Sequence, residues 1–214
     1  SMLTGCYFVD NNNERAAEKL LGNVARFNDR VQAFIFNPRK LAPTFKPRQI
    51  TKPFRFNAYY GEAMAPIVDG PSFRLEVGGL VENKSPWSLE QLYALPQETQ
   101  ITRHCCVEGW SAIGEWTGAP LREFLTRVGA DMRAKYVFFR CAEGYYTSID
   151  MATALHPQTQ MTFKFAGEIL PRKFGFPMKV RIPTKLGFKN PKHVVELAVT
   201  NDEMGGYWED QGYD

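Results

Sequence analysis

Short stretches in which apolar and polar residues alternate dominate the chain beyond residue 72. Residues 73–77, with the sequence FRLEV, are typical of a half-buried strand, because successive side chains of a strand point to opposite faces. The same reasoning, together with runs of β-branched and aromatic residues, predicts five more strands. They lie at residues 99–103, 136–140, 146–149, 178–182 and 193–200.

Helical patterns are fewer and short. Ser88 is a predicted N-cap of a helix that Pro96 ends, and residues 120–128 form an amphipathic helix with a proline in its first turn. Residues 151–155 are predicted to form a single helical turn. Many short strands with few short helices indicate an α+β fold built on mixed short β-sheets.

The first 54 residues differ in pattern from the rest. Apolar residues spaced along 11–36 favour a helix, and four prolines within 37–56 favour an extended tether. We therefore predict a helical arm and Pro-rich tether at residues 1–54 and a single compact domain at residues 55–214.

Charge narrows the classes of partner. The 26 basic and 23 acidic residues leave a net charge of +3, which gives no reason to expect a nucleic-acid partner. Residues 172–192 nevertheless contain seven basic residues and no acidic one. This stretch indicates either a phosphate-binding site or an ordinary solvated basic surface. The basic residues are Arg172, Lys173, Lys179, Arg181, Lys185, Lys189 and Lys192.

Cysteine and histidine usage excludes several kinds of site. The four cysteines have no CxxC spacing, which argues against a disulfide scaffold or a zinc ribbon, and three histidines are too few for a multi-histidine metal site. The sequence has no GxGxxG and no P-loop.

The sequence RHCCVEGWS at residues 103–111 is the strongest chemical signal in the chain. A thiolate is a soft, anionic ligand for a thiophilic metal, and the end of a strand would hold it rigidly. Alternation along the strand lets only one of Cys105 and Cys106 face a given pocket. The alternative is that both are inert core cysteines.

This loop resembles that of the sulfite oxidase-like molybdenum enzymes and is most similar to their methionine sulfoxide reductase branch. The segment GFPMKVRIPTKLGFKNPK at residues 175–192 resembles a second motif of that family, and the likeness spans residues 55–200. It implies a molybdopterin cofactor whose molybdenum is ligated by the Cys106 thiolate. Cys105 would then point away into packing, and Glu108 would relay protons beside the metal.

The resemblance also assigns further positions. Asn57 corresponds to an asparagine near the metal, so it is a candidate for both catalysis and cofactor binding. The other candidate cofactor contacts are Tyr60, Gly61, Cys141, Phe174, Lys179, Asn190, Pro191 and Lys192. Three of them depart from the family pattern: Lys179 replaces an arginine, Phe174 an asparagine and Cys141 a threonine.

These features predict an oxidoreductase that transfers an oxygen atom with two electrons, with reduction of a sulfoxide as the favoured reaction. Oxidation of sulfite, held by Arg103 and Arg140, is one alternative. A non-catalytic pterin-binding protein is another, and the three departures motivate it.

Partners and location follow from the same resemblance. The sequence has no CxxCH haem motif and no iron–sulfur cysteine set, so we expect a small-molecule substrate and a separate electron-transfer partner, such as a membrane b-type cytochrome. We expect export to the periplasm by a signal outside the given sequence. The LTGC sequence at residues 3–6 resembles the end of a lipoprotein signal, which makes Cys6 a candidate lipid anchor. No apolar run reaches the roughly 18 residues of a membrane span.

Overall fold

Ten strands and three α-helices make up the part of the chain that the computed structural model describes, residues 40–212. The predicted helical arm and the Cys6 anchor lie outside these residues. Within them, no helix is both long and apolar enough to cross a membrane.

The strands are β1 Arg74–Gly79, β2 Trp87–Ser88, β3 Glu98–Cys105, β4 Ser111–Pro120, β5 Tyr136–Cys141, β6 Tyr146–Asp150, β7 Gln160–Phe165, β8 Glu168–Ile169, β9 Lys179–Arg181 and β10 Val194–Thr200. The helices are α1 Leu89–Tyr93, α2 Leu121–Arg127 and α3 Met151–Ala154. The predicted α+β class and the six predicted strands are confirmed, with ends that agree to within two residues.

The strands form two five-stranded sheets. In the first sheet the order is β2-β1-β10-β5-β6, and β1 and β10 are parallel while their neighbours are antiparallel. In the second sheet the order is β3-β4-β7-β8, and β9 also pairs with β7. Every pairing in the second sheet is antiparallel.

The main apolar core draws on both sheets and on the helices. Leu75 of β1 and Leu197 of β10 belong to one sheet, Met161 and Phe163 of β7 belong to the other, and Phe124 comes from α2. All five are fully or almost fully buried. A smaller cluster of Trp116, Leu170 and Phe174 lies apart and packs against Phe54 and Phe165. This smaller cluster adjoins the site described below.

Local sequence explains α1 well. The Ser88 hydroxyl accepts a hydrogen bond from the Gln91 backbone N–H at 3.2 Å, and the Gln91 side chain accepts one from the Ser88 backbone N–H at 2.8 Å. This reciprocal pair satisfies two N–H groups at the helix start.

The longest strand, β4, was not predicted. Its sequence SAIGEWTGAP contains two glycines and a proline, which are poor strand formers. Gly118 is required by packing, because a Cβ atom there would lie 2.0 Å from the Met161 carbonyl oxygen on β7. Close approach of two backbones therefore outweighs propensity in this strand.

The Pro-rich segment lies along the second sheet. The Phe45 N–H donates to the Ile101 carbonyl of β3 at 3.0 Å, and the Thr51 N–H donates to the Ile113 carbonyl of β4 at 2.9 Å. Thr44 forms an isolated bridge with Thr102. The compact unit accordingly begins at Leu41, and a domain boundary at residue 54 remains a prediction.

Candidate active site

The cysteine loop is the tight turn that joins β3 to β4. The Cys106 N–H donates to the Trp110 carbonyl at 2.9 Å, and the Gly109 N–H donates to the Cys106 carbonyl at 3.2 Å. These bonds hold the partly buried Cys106 thiol at the wall of a large cavity.

Cys105 occupies a different environment. It is exposed, so the expectation that it points into packing is wrong. Strand alternation explains the error: Arg103 and Cys105 share the outer face of β3, whereas Thr102 and His104 are buried on the inner face.

Glu108 is tied to its own loop. Its Oε2 atom accepts a hydrogen bond from Trp110 Nε1 at 2.7 Å and lies 3.8 Å from Cys106 Sγ. The Arg55 guanidinium lies 5.0 Å from the centre of the Trp110 ring. Burial is the main cause that raises the pKa of the Cys106 thiol, and the Glu108 carboxylate adds to it. A cation at the sulfur would be needed to favour the thiolate.

The cavity has a volume of about 790 Å³. Seven of the predicted site residues line it: Asn57, Tyr60, Cys106, Glu108, Asn190, Pro191 and Lys192. Most other lining residues are aromatic or apolar: Ala58, Tyr59, Val107, Tyr145, Leu186, Phe188 and Trp208. Glu143, Gly187 and Gly212 complete the lining.

The cavity lining outside the cysteine loop forms a second wall, which is rich in buried polar groups. Glu143 lies in the turn between β5 and β6, and its Oε2 atom has no hydrogen-bond partner among residues 40–212. Burial raises the pKa of this carboxyl to about 7. The Tyr60 hydroxyl is likewise buried without a partner in the described chain. The sequence prediction missed Glu143, although an acid between the two predicted strands at residues 136–140 and 146–149 was the available signal.

Lys192 extends this wall. Its ammonium group donates to the Asn57 carbonyl and, at 3.3 Å, to the Lys173 carbonyl. It also lies 4.7 Å from the centre of the Phe56 ring. Burial lowers the pKa of Lys192 to about 8, against the opposing effect of the Glu143 carboxylate.

Two further cations are buried behind the cavity. Lys179 and Arg181 on β9 are 3% and 1% exposed, and neither forms a salt bridge within residues 40–212. Burial lowers the pKa of Lys179 well below its usual value and that of Arg181 to about 10. Both groups lie over Trp116, at 5.4 and 5.5 Å from the ring centre.

Gly175 packs closely against both Lys179 and Lys192. Its φ of 119° is in the region that favours glycine, and an added Cβ atom would lie 3.0 Å from Lys192 Cβ and 3.2 Å from Lys179 Cβ. The GFPMK sequence therefore positions two cations side by side.

Asn190 and Arg181 connect the cations to the cysteine loop. The Asn190 side-chain oxygen Oδ1 accepts hydrogen bonds from Arg181 Nη1 and from the Ile182 N–H, both at 2.7 Å. Arg181 Nη2 donates to the Arg103 carbonyl at 2.6 Å. These bonds fix β3, the strand that leads into the Cys106 turn.

His104 is also buried in this region. Neither of its ring nitrogens has a hydrogen-bond partner in the described part of the chain. Burial, supported by the nearby Lys179 and Arg181 charges, lowers its pKa to about 2, so the ring is neutral. A Cβ atom added at Gly187, which lines the cavity, would lie 2.8 Å from the His104 ring.

Four predicted cofactor contacts do not line the cavity. Gly61 begins the turn after the Asn57–Tyr60 segment. Cys141 is buried in the main core, and burial raises the pKa of its thiol well above the usual value. Phe174 belongs to the small aromatic cluster, and Lys179 lies behind the wall as described.

The chemistry of these groups fits an anionic cofactor rich in nitrogen and oxygen. Three buried cations without carboxylate partners among residues 40–212 suit a phosphate, and the unpartnered atoms of His104 and Tyr60 suit a polar heterocycle. No group of three or more His, Cys, Asp or Glu in the same range could hold a metal by itself. A metal at Cys106 would therefore take its other ligands from the cofactor.

The fold and this site define a molybdopterin-binding oxidoreductase domain of the sulfite oxidase type. The sequence profile described as "Oxidoreductase molybdopterin binding domain" matches residues 62–208, and the chain belongs to that family. It is therefore an enzyme of this family of oxidoreductases, with molybdenum bound to molybdopterin as its cofactor.

Individual relatives are more specific. A protein of Azospira oryzae, provisionally named "protein-methionine-sulfoxide reductase subunit YedZ1", is 58% identical over 213 residues, which is 100% of this chain and 80% of that protein. The "Protein-methionine-sulfoxide reductase catalytic subunit MsrP" of Ralstonia nicotianae is 32% identical over 152 residues. That match covers 64% of this chain and 46% of the relative, so it spans about half the length of that protein.

A solved structure supports the fold. The sulfane dehydrogenase SoxCD from Paracoccus pantotrophus superposes with a TM-score of 0.61 at 21% sequence identity. The superposition covers 65% of this chain and 41% of that one.

Proposed function

We propose that this protein reduces sulfoxides, with Cys106 as the protein ligand of molybdenum. The observation that carries the proposal is the lining of the cavity beside Cys106. That lining is largely aromatic and apolar, and Lys192 is its only cation among the described residues. A neutral sulfoxide suits such a cavity better than a dianion does.

The sulfite-oxidising alternative receives less support. Arg103, one of the two arginines considered for holding sulfite, is exposed over the Phe45 ring at 5.3 Å. The other, Arg140, is bonded to Glu196 at 2.6 Å. Neither lines the cavity, so a dianion beside Cys106 would meet the lysine and two carboxyl groups, Glu108 and Glu143.

The residues of the chain would divide the work as follows. Lys179, Arg181 and Lys192 would hold the anionic end of the cofactor, and Asn190 would orient Arg181. The bound cofactor would supply the two-electron chemistry. The aromatic side chains of Tyr59, Tyr145 and Trp208 would accept the organic part of the substrate. Asn57 would orient the substrate near the metal, and Glu108 would move protons at its Oε2 atom.

The names of the relatives support protein-bound methionine sulfoxide as the substrate, in place of the small-molecule substrate expected from the sequence. The electrons would come from a separate partner, for which a membrane b-type cytochrome remains our proposal, and the site of action would be the periplasm. The sequence contains no CxxCH haem motif and no iron–sulfur cysteine set, and this supports a separate electron donor.

The test is expression in a host that makes molybdopterin, followed by elemental analysis and turnover assays. We expect close to one molybdenum per chain and reduction of methionine sulfoxide by a chemical electron donor such as a reduced viologen. Sulfite oxidation without sulfoxide reduction would replace this proposal with its alternative. Molybdenum binding without either activity would indicate a non-catalytic pterin-binding protein.

A further inference from the structure

Glu143 is a carboxyl group built into the cavity by tertiary structure. Its turn is closed by a bond from the Gly144 N–H to the Cys141 carbonyl at 3.1 Å and by one from the Cys141 N–H to the Tyr145 carbonyl at 2.8 Å. The Tyr59 hydroxyl donates to the Glu143 backbone carbonyl at 3.1 Å. The turn is therefore fastened to the segment that carries Asn57, and its carboxyl faces the same cavity as Cys106.

The surroundings of this carboxyl come from three parts of the chain. Tyr59 and Tyr60 face it from the segment before β1, Cys141 and Tyr145 from its own turn, and Lys192 from the segment before β10. Burial raises the pKa of both tyrosine hydroxyls in the first segment, and that of Cys141 is raised as well, so these groups are neutral at pH 7. Lys192 is the single cation among the residues known to face Glu143 in the described chain.

Glu143 and Glu108 differ in what their oxygens contact. Glu108 is exposed, and its Oε2 atom is occupied by Trp110. Glu143 Oε2 is buried and free of any protein partner within residues 40–212. A buried carboxyl oxygen that meets no protein donor is available to a ligand, and in its acid form it can donate a hydrogen bond.

We propose that Glu143 is the proton donor to the sulfoxide oxygen in this cavity, which extends the proposed function and rests on it. The overall change is R₂S=O + 2 H⁺ + 2 e⁻ → R₂S + H₂O. The S–O bond breaks, the two electrons come from the separate electron donor, and one proton passes from Glu143 Oε2 to the departing oxygen. Water that enters the open cavity supplies the second proton and then reprotonates Glu143.

Substitution of Glu143 by glutamine tests the role at constant size. Wild-type kcat for methionine sulfoxide should fall as pH rises through about 7, because the acid form is then lost. Glu143→Gln should lower kcat by about 100-fold at pH 6 with KM unchanged, and the pH dependence near 7 should disappear. Glu143→Asp should keep a pH dependence with a smaller loss of kcat. Glu90→Gln, at an exposed position on α1, is the matched control and should change nothing.

A second readout needs no turnover. The folded-state pKa of Glu143, about 7, is raised above its usual 4.5, so the folded apoprotein binds more protons across this window. Wild-type stability therefore falls as pH rises through it, whereas that of Glu143→Gln does not. The difference in Tm between the apo forms should grow in favour of Glu143→Gln from pH 4.5 to 8.

The outcomes separate the two proposals. An equal loss of kcat by Glu143→Gln at every pH, no loss at all, or a loss that matches reduced molybdenum content would overturn the role of Glu143 alone. An unchanged pH dependence of Tm would also overturn it. A molybdenum-loaded wild type without sulfoxide reduction would overturn the proposed function, and the proton-donor role with it.

Discussion

The two walls of the cavity are built in opposite ways. On the cysteine-loop wall, Glu108 and Trp110 bond to each other within three residues, and the backbone turn closes on itself. On the second wall, Tyr60, Glu143 and Lys192 come from distant parts of the sequence, and two of them have buried polar atoms without protein partners in the described chain. The first wall is complete by itself, whereas the second is prepared for a ligand.

Among tests of this contrast, substitution of the adjacent cysteines Cys105 and Cys106 should give the largest difference in turnover. Changes to outer-shell partners of a metal ligand cost about 10–100-fold, so we expect Cys106→Ser to lower turnover by about 1,000-fold or more. Cys105→Ser should retain near wild-type activity, because Cys105 is exposed on the other face of β3. Both predictions can be checked by measuring steady-state rates and molybdenum content of each variant. Equal losses in the two variants would remove Cys106 as the ligand.

The next largest effect should be on stability, and it should come from substitution of the buried Lys192. Its folded-state pKa, about 8, lies below its usual 10.5, so the unfolded chain binds more protons between these values and apoprotein stability rises with pH across that window. Lys192→Met should remove up to about 3 kcal/mol of this pH-dependent change. Urea unfolding at pH 7.5 and 10.5 measures it, with exposed Lys84→Met as the control. If the free energy of unfolding changed equally with pH in Lys192→Met and in wild type, the lowered pKa of Lys192 would be contradicted.

Substitution of Lys179 should stabilise the apoprotein but weaken retention of the cofactor. A buried cation without a carboxylate partner is unfavourable, so Lys179→Met should stabilise the apoprotein by about 1 kcal/mol. The same change, like Lys179→Ala, should reduce molybdenum occupancy after purification by about 10-fold, as expected for loss of an interaction with the cofactor phosphate worth about 1.4 kcal/mol. Wild-type occupancy in both variants would show that Lys179 does not hold the cofactor.

The smallest effect should come from the self-contained wall. Trp110→Phe removes the 2.7 Å bond to Glu108, and the loss of one such bond corresponds to about 3–10-fold in rate. Because Glu108 is exposed and can bond to water, Tm should stay near the wild-type value. A rate loss as large as that of Cys106→Ser would mean that the cysteine-loop wall is less independent than its hydrogen bonds indicate.

The same contrast explains what could be predicted from sequence. The Ser88 cap and the Cys106 loop rest on contacts within a few residues, and both are visible in the local sequence. Strand β4 could not be recognised, because the need for Gly118 arises from β7, more than 40 residues away. Glu143 was missed for a similar reason: a glutamate in a hairpin turn is usually solvated, and this one is buried by tertiary contacts that include the 57–60 segment.

The cofactor contacts show a mixed result. The resemblance named Asn190, Pro191 and Lys192, and all three line the cavity. Phe174 and Cys141 replaced polar residues of the family, and each is buried in an apolar cluster instead. Such a side chain lacks the polar groups that could bond to a cofactor in the cavity. It is therefore buried among apolar neighbours instead.

The Pro-rich segment has a consequence for solubility. Strand β3 is an outer strand of its sheet, and the 111–115 end of β4 extends beyond its pairing with β7. Phe45 and Thr51 occupy backbone groups on both strands. Exposed strand edges recruit strands from other molecules, and a prolyl-rich cover is one way to prevent this. A protein cleaved after residue 51 and freed of this cover would keep its cavity residues, yet it would offer two unpaired edges for self-association.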